Sequence, residues 1–401
     1  MTPVPILFMS DAVTSGTGLG RITRDLATRL HAHCPEFRVG TYGYGGEYSR
    51  ALEFPQYQMV MDNWHCYNLP DVWRDFAGTE RGILFVIWDA SRLLWLSRPE
   101  NEENPRLQNF LKTEPFEKWT YTPIDAHGIN GGLTPILKHT LQGFSRIMAY
   151  SSWARDVLQK TLDNSHYNDV CFCPHGIDTS VFYPRNRIQA RHSIGDKLGA
   201  KDFRGKITRI PDDQFFVGVV GTNQVRKDWG LAAQILSEIT KQKGGKVWSW
   251  CHTDRLENSW SLPGLMQHEF PMHEKMIVST AEFTDEQMAW AYSACDLTLG
   301  IGNGEGFGYP IFESLACGTP CLHGNYGGAA EHMQKCMLVD SVHDRLEGPY
   351  SLIRKCYRVE DWVEKANSLA GVKSGNSLLP EHLAWENLWP SWQEWFLKGL
   401  Q

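Results

Sequence analysis

A strand, a glycine-rich turn and a helix follow one another between Asp296 and Pro320, and this succession constrains the fold most. The apolar residues 297–301 predict a short buried strand, and residues 309–317 predict a helix that Gly318 ends and Pro320 closes. The turn between them reads Gly304, Glu305, Gly306, Phe307 and Gly308. Because such a turn offers backbone N–H groups and a positive helix end, it suits a bound anion.

Two carboxylates lie on this segment, Glu305 in the turn and Glu313 on the predicted helix. An ionised carboxylate only accepts hydrogen bonds, so each can bind a pair of neighbouring hydroxyl groups. A ligand with sugar hydroxyls on both sides of a phosphate fits this order, and the pattern therefore favours a nucleotide sugar. The alternative is a solvated turn residue followed by a charge on the helix surface.

The motif Glu-x7-Glu, headed by Glu-Gly-Phe-Gly, resembles the signature of retaining GT-B glycosyltransferases, in particular glycosyltransferase family 4. Residues 316–320 (Ala-Cys-Gly-Thr-Pro) and 327–331 (Gly-Gly-Ala-Ala-Glu) extend the resemblance. It implies that Glu305 contacts the donor sugar and that Glu313 contacts the ribose of the nucleotide. It also implies that sugar and phosphate lie against the backbone of Gly306, Phe307 and Gly308.

Two cations, Arg226 and Lys227, follow another apolar run at residues 215–221. A bidentate Arg and a point-charge Lys can together neutralise a diphosphate. The resemblance implies that they stabilise the leaving nucleotide diphosphate, whereas an Arg-Lys pair taken alone is more often a surface pair. Thr222 departs from the family, because many members carry a further arginine there.

The first loop of the chain, residues 15–20, is rich in glycine, which lets a backbone approach a ligand closely. It resembles the family loop that faces the donor phosphates, which assigns Gly16 and Gly18 to donor binding. The loop lacks the Gly-x-Gly-x-x-Gly spacing, and no acidic residue stands where a dinucleotide ribose needs one, so an NAD site is disfavoured.

Asp125 ends the predicted strand 119–124, at a point where ligands gather in open α/β sheets. Many family members place a histidine near this point; here Asp125 takes that place, with His127 close by. The aspartate could orient the acceptor hydroxyl or balance positive charge on the reacting sugar. The alternative is an N-cap of the next helix, and both stay open. Trp88 and Asp89 end another predicted strand and are further acceptor-side candidates.

Strand-like and helix-like stretches alternate along the chain, which predicts doubly wound parallel sheets and the α/β class. The GT-B resemblance implies two Rossmann-like domains that face a central cleft. The tail helix 381–398 carries four tryptophans and either crosses back onto the first domain, as in GT-B proteins, or caps its own domain. The predicted divisions are an N-terminal acceptor-binding domain 1–184, a linker 185–210, a nucleotide-sugar domain 211–378 and the tail 379–401.

Composition excludes several classes of protein. An apolar content of 42% and a charged content of 21% are those of a soluble globular chain, and no apolar run approaches the ~20 residues that span a membrane. The ten cysteines include no Cys-x-x-Cys pair, so neither a zinc site nor a disulfide framework is indicated and a reducing cytoplasm fits best. The chain has no Asp-x-Asp motif, so no metal is implied. No cofactor is expected beside the nucleotide sugar.

The resemblance to glycosyltransferase family 4 implies a retaining, metal-independent hexosyl- or pentosyltransferase. Its donor would be UDP- or GDP-linked, and its acceptor a hydroxyl of a glycan or polysaccharide precursor. One alternative acceptor is a hydroxymethylated DNA base, because residues 185–209 carry eight Lys and Arg against two Asp. Another alternative is a regulator that binds nucleotide sugars without turnover, which the departure at Thr222 keeps open.

Overall fold

The computed structural model describes residues 2–62, 65–162, 170–197, 210–268, 275–280, 283–372 and 375–401. The chain divides into two compact units, and each is described by itself. The first unit contains Met1–His175, Gly348–Leu352 and Leu388–Gln401, and the second contains Gly176–Glu347 and Ile353–Asn387.

The first unit is built on a sheet whose seven described strands are all parallel, in the order β3-β2-β1-β6-β7-β8-β9. One of its inner strands runs through Ile6, Leu7, Phe8 and Met9, which are all fully buried because helices cover both faces of such a sheet. The elements are β1 Val4–Asp11, α1 Gly18–His33, β2 Phe37–Tyr44, β3 Gln56–Gln58, β4 Met61–Asp62, β5 His65–Cys66, α2 Leu69–Ala77, β6 Gly82–Val86, α3 Leu94–Ser97, α4 Pro105–Lys112, β7 Phe116–Thr122, α5 Pro135–Leu141, β8 Arg146–Ala149, α6 Ser152–Leu162 and β9 Val170–Phe172.

The second unit is built on a sheet whose six described strands are also parallel, in the order β12-β11-β10-β13-β14-β15. Its first elements are α7 Arg187–Lys197, β10 Phe215–Val220, α8 Trp229–Gln242, β11 Val247–His252, α9 Leu262–His268, β12 Met276–Ser279, α10 Asp285–Ala294 and β13 Leu297–Gly300. The remaining elements of the chain are α11 Tyr309–Ala316, β14 Cys321–Gly324, β15 Leu338–Val339, β16 His343–Glu347, β17 Leu352–Cys356, α12 Val359–Leu369 and α13 Trp385–Lys398.

Local sequence explains where several helices begin. Thr17 caps α1, because its Oγ1 accepts a hydrogen bond from the backbone N–H of Gly20 at 3.1 Å. Thr284 and Gln287 form a reciprocal capping box at the start of α10. Both devices satisfy backbone N–H groups that have no partner inside the helix. The predicted α/β class with doubly wound parallel sheets is confirmed.

The tail helix α13 packs on the first sheet from Leu388 onward. The indole N–H of the fully buried Trp392 donates to the carbonyl of Pro174 at 3.0 Å. The ring of Phe396, also fully buried, lies 5.4 Å from that of Phe85. Of the two alternatives for the tail, the structure therefore shows the one in which it returns to the first unit.

Among the described residues no helix has the length and apolar character that crossing a membrane requires.

Replacing Trp392 with Ala removes a buried ring and a hydrogen bond that hold α13 to the first sheet. We expect it to lower the free energy of unfolding of the first unit by about 3–5 kcal/mol. The matched control is Trp389→Ala, because Trp389 lies on the same helix but is half-buried. We expect it to lower the free energy of unfolding clearly less. Urea unfolding followed by circular dichroism measures both, and equal losses would contradict this packing.

Candidate functional site

The candidate site lies where the strand order of the second sheet reverses. The chain runs from β10 outward to β11 and β12, then returns to β13, which pairs in parallel with β10 on its other side. In open α/β sheets, ligands bind beyond the carboxyl ends of the strands at this switch point. The loop after β10 carries Arg226 and Lys227, and the loop after β13 carries Glu305.

The structure brings these three charged residues together. Glu305 Oε2 accepts a hydrogen bond from Lys227 Nζ, and Arg226 Nη1 lies 3.2 Å from the same oxygen. Arg226 Nη1 also lies 3.4 Å from the carbonyl oxygen of Gly304. The three side chains are 13–26% exposed, which excludes both the solvated turn residue and the surface Arg-Lys pair.

The local charges keep Glu305 ionised. Burial acts to raise the pKa of its carboxyl, but the charges of Lys227 and Arg226 and the hydrogen bond from Lys227 outweigh burial and lower this pKa to about 2. The site therefore holds one fixed negative charge between two positive charges. A carboxylate that accepts hydrogen bonds from hydroxyl groups and cations that bind phosphate thus lie side by side.

Asp228 shapes the turn that carries the two cations. Its backbone is left-handed, with φ of +39°, a conformation that is uncommon for a residue with a side chain. Two contacts hold it there: its Oδ1 accepts from the N–H of Leu231 at 3.1 Å, and its Oδ2 accepts from Asn303 Nδ2 at 3.3 Å. Asn303 also donates its backbone N–H to the carbonyl of Arg226 at 2.9 Å, so the two loops are fastened together.

Two glycines are required by the close packing around Glu305. Gly308 has a φ of +84°, and a Cβ there would lie 2.9 Å from Glu305 Cγ. Gly327 has a φ of +87°, and a Cβ there would lie 2.6 Å from the carbonyl oxygen of Glu305. A side chain at either position would therefore strain the backbone and displace the carboxylate.

Phe307 lies in the core, where it is 2% exposed and its ring centroid is 4.6 Å from that of Phe312. Its side chain thus anchors the turn, and only its backbone is suited to contact a ligand. Gly308 then caps α11, with Pro310 in the first turn of the helix. The backbone contacts predicted for Gly306, Phe307 and Gly308 stay a prediction.

Glu313 is 2% exposed and accepts a hydrogen bond from the hydroxyl of Tyr292 at 2.9 Å. The alternative of a charge on the helix surface is therefore wrong, because the side chain points into the unit. Tyr292 lies on α10, and no sequence signal links it to Glu313. The ribose contact of Glu313 stays a prediction.

In the first unit, Asp125 follows β7 by three residues at the carboxyl end of the strand. The next helix, α5, begins only at Pro135 and has Thr134 as its N-cap. The helix-cap explanation of Asp125 is therefore wrong, and its role toward the acceptor stays a prediction. His127 lies close in sequence, with its Nδ1 2.8 Å from the carbonyl oxygen of Gly128.

Trp88 is fully buried, and its indole N–H donates to Asp11 Oδ1 at 3.1 Å. Its ring thus belongs to the core and supports Asp11 rather than a ligand surface. Asp11 also accepts a hydrogen bond from the hydroxyl of Thr17 at 2.7 Å, which fastens the loop that contains Gly16 and leads into α1 at Gly18. Asp89 is the next acceptor-side candidate, and its Oδ2 lies 3.8 Å from Arg92 Nε.

Sequence reasoning also missed His323, which lies on β14 and pairs in register with Gly300 at the end of β13. Its imidazole is 1% exposed and contacts the carbonyl oxygen of Gly300. Only the pairing of β13 with β14 brings it to the site, so no local pattern indicates it.

Comparison with known proteins agrees with this geometry. No protein-family model matches the chain. The chain is 27% identical over 194 residues to a D-inositol 3-phosphate glycosyltransferase of Pseudarthrobacter chlorophenolicus, covering 44% of this chain and 40% of that protein. It is 28% identical over 225 residues to one of Paenarthrobacter aurescens, covering 52% and 50%. The chain thus spans half or less of the length of these relatives.

Solved structures match over nearly the whole chain. The Anabaena protein HepE, in complex with UDP and glucose, has a TM-score of 0.68 at 12% identity and covers 98% of this chain and 100% of its own. Sucrose-phosphate synthase of Thermosynechococcus elongatus has a TM-score of 0.66 at 14% identity and covers 99% of both chains. The predicted GT-B fold is thereby confirmed, and the chain resembles GT-B glycosyltransferases of family 4.

The low pKa of Glu305 predicts a pH-dependent stability. A carboxyl whose pKa falls from 4.5 to about 2 on folding stabilises the native state above pH 4.5 and loses that contribution as the pH falls toward 2. We expect the free energy of unfolding of wild type to exceed that of Glu305→Gln by about 3 kcal/mol at pH 7. This difference is expected to shrink below pH 4.5. Urea unfolding between pH 7 and pH 3 measures it.

The matched control is Glu364→Gln, because Glu364 is exposed on α12. Its unfolding free energy is expected to follow that of wild type throughout. A constant difference between wild type and Glu305→Gln across this pH range would contradict the ion pairing of Glu305.

Proposed function

We propose that this chain is a glycosyltransferase whose donor is a nucleotide-diphosphate sugar. The observation that carries this proposal is the contact of Lys227 and Arg226 with Glu305 at the switch point of the second sheet. A diphosphate needs fixed positive charge, and the hydroxyl groups of a sugar need a group that accepts their hydrogen bonds. These two requirements meet in one group of side chains.

The names of similar proteins support the proposal. Relatives that are 27% and 28% identical are named glycosyltransferases, and HepE was solved in complex with UDP-glucose. We therefore propose a UDP-linked sugar as the first donor to test, with a GDP-linked sugar as the second. We propose a hydroxyl of a glycan or polysaccharide precursor as the acceptor.

The chemical step depends on charge at the leaving group. As the bond from the anomeric carbon to the phosphate oxygen breaks, negative charge builds on the diphosphate. Lys227 and Arg226 are already placed and partly shielded from water, so they stabilise that charge with little reorganisation. Glu305 would meanwhile accept hydrogen bonds from hydroxyls of the transferred sugar.

We further propose that the reaction retains the anomeric configuration, as the resemblance implies. The acceptor hydroxyl would attack from the face that the diphosphate leaves, and a phosphate oxygen would take its proton. Asp125 would orient the acceptor or balance positive charge on the sugar. Glu313 would accept hydrogen bonds from the ribose hydroxyls.

Lys227→Ala tests the phosphate role. We expect it to slow release of UDP from UDP-glucose about 100-fold or more, because a preorganised charge on the leaving group is lost. Lys241→Ala is the matched control, since Lys241 is an exposed lysine of α8, and it is expected to keep wild-type rates. Isothermal titration with UDP, UDP-glucose and GDP-mannose identifies the donor class.

Two outcomes would contradict the proposal. If wild type binds none of these nucleotide sugars, the site assignment is wrong. If it binds one and never releases the diphosphate, even with glycan acceptors present, the chain is a binding regulator without turnover.

Metal independence is a separate prediction, because Lys227 and Arg226 supply the positive charge that a divalent cation provides elsewhere. We expect UDP release to continue at an unchanged rate in excess EDTA. Loss of activity in EDTA that added Mg²⁺ or Mn²⁺ restores would show that a metal takes part.

A further inference from the structure

His323 occupies a defined place beside the candidate site. It lies on β14 in register with Gly300, the last residue of β13, and its side chain is 1% exposed. Imidazole Nδ1 is 2.6 Å from the carbonyl oxygen of Gly300. Because a carbonyl oxygen only accepts, Nδ1 carries the proton and donates this hydrogen bond.

The other ring nitrogen is an acceptor. Burial lowers the pKa of the imidazole, so the ring is neutral and Nε2 presents a lone pair. Nε2 is buried and has no hydrogen-bond partner among the described residues. The ring also interacts electrostatically with Glu305 and Lys227, so the charged group acts on it.

The carbonyl that His323 holds is the point at which the site loop begins. Residues 301–304 follow it, and two of these four are glycines, which restrict a backbone least. Gly304 has a φ of +150°, a conformation that side chains disfavour. Such a loop needs anchors, and Asn303 supplies the second one through its backbone bond to Arg226.

We propose that His323 is a positioning residue of the donor site, an inference that rests on the proposed function. Its Nδ1–H bond to Gly300 sets where the loop leaves β13, and through that loop it sets the position of Glu305. His323 does not touch the sugar. Because a misplacement of about 1 Å at a reacting centre can cost about 100-fold in rate, one buried anchor at the start of a glycine-rich loop is enough to matter.

Two amide substitutions separate the two ring nitrogens. In His323→Asn the amide nitrogen stands near the place of Nδ1 and can still donate to Gly300. In His323→Gln the amide reaches the place of Nε2 instead. His323→Leu removes both functions, and thermal unfolding of each variant reports any loss of folding.

The readouts are kcat and KM for UDP release from UDP-glucose. We expect His323→Asn to keep kcat within about threefold of wild type. We expect His323→Gln and His323→Leu to lower kcat about tenfold, the effect of one lost hydrogen bond, with smaller changes in KM. All rates are compared at a temperature at which thermal unfolding shows every variant to be fully folded, so that stability does not explain the difference.

Three results would overturn the inference. Activity kept in His323→Gln and lost in His323→Asn would show that Nε2 contacts the ligand directly. Equal losses in both, in proportion to their thermal destabilisation, would show a role in folding alone. Wild-type rates in all three variants would show no role. A wild type that binds no nucleotide sugar would refute the proposed function first, and the positioning role with it.

Discussion

The contact of Lys227 and Arg226 with Glu305 is the interaction on which the site depends. It joins the loops that follow β10 and β13, and it keeps three charged side chains largely out of water. The attraction between these opposite charges compensates for the hydration that each loses, whereas any one of them alone would be costly to bury. The same groups are the ones that a phosphate and a sugar require, so stability and the proposed function would share one set of residues.

The backbone around this contact leaves little freedom. Gly308 and Gly327 approach Glu305 so closely that a Cβ would collide with it, and Asp228 adopts a left-handed conformation between two hydrogen bonds. Constraints of this kind fall on a few positions, while most of each sheet needs only apolar residues. This is consistent with a shared fold at 12% identity to HepE.

Local patterns in the sequence were enough to predict the doubly wound sheets, the turn at Glu305 and the helix after it. They could not predict which groups meet, because Lys227 and Glu305 are far apart in sequence and the pairing of β10 with β13 brings their loops together. The same holds for His323, which reaches the site through the pairing of β13 with β14. Asp125 was open to a cap role because strands often lead directly into helices, but here α5 begins ten residues later, at Pro135.

A crystal structure of the chain with UDP-glucose would show whether Lys227, Arg226 and Glu305 hold the donor. We expect diphosphate oxygens about 2.7–3.2 Å from Lys227 Nζ and the Arg226 guanidinium, and a sugar hydroxyl that donates a hydrogen bond to Glu305. A diphosphate bound elsewhere, or one bound while Lys227 contacts only Glu305, would contradict this expectation.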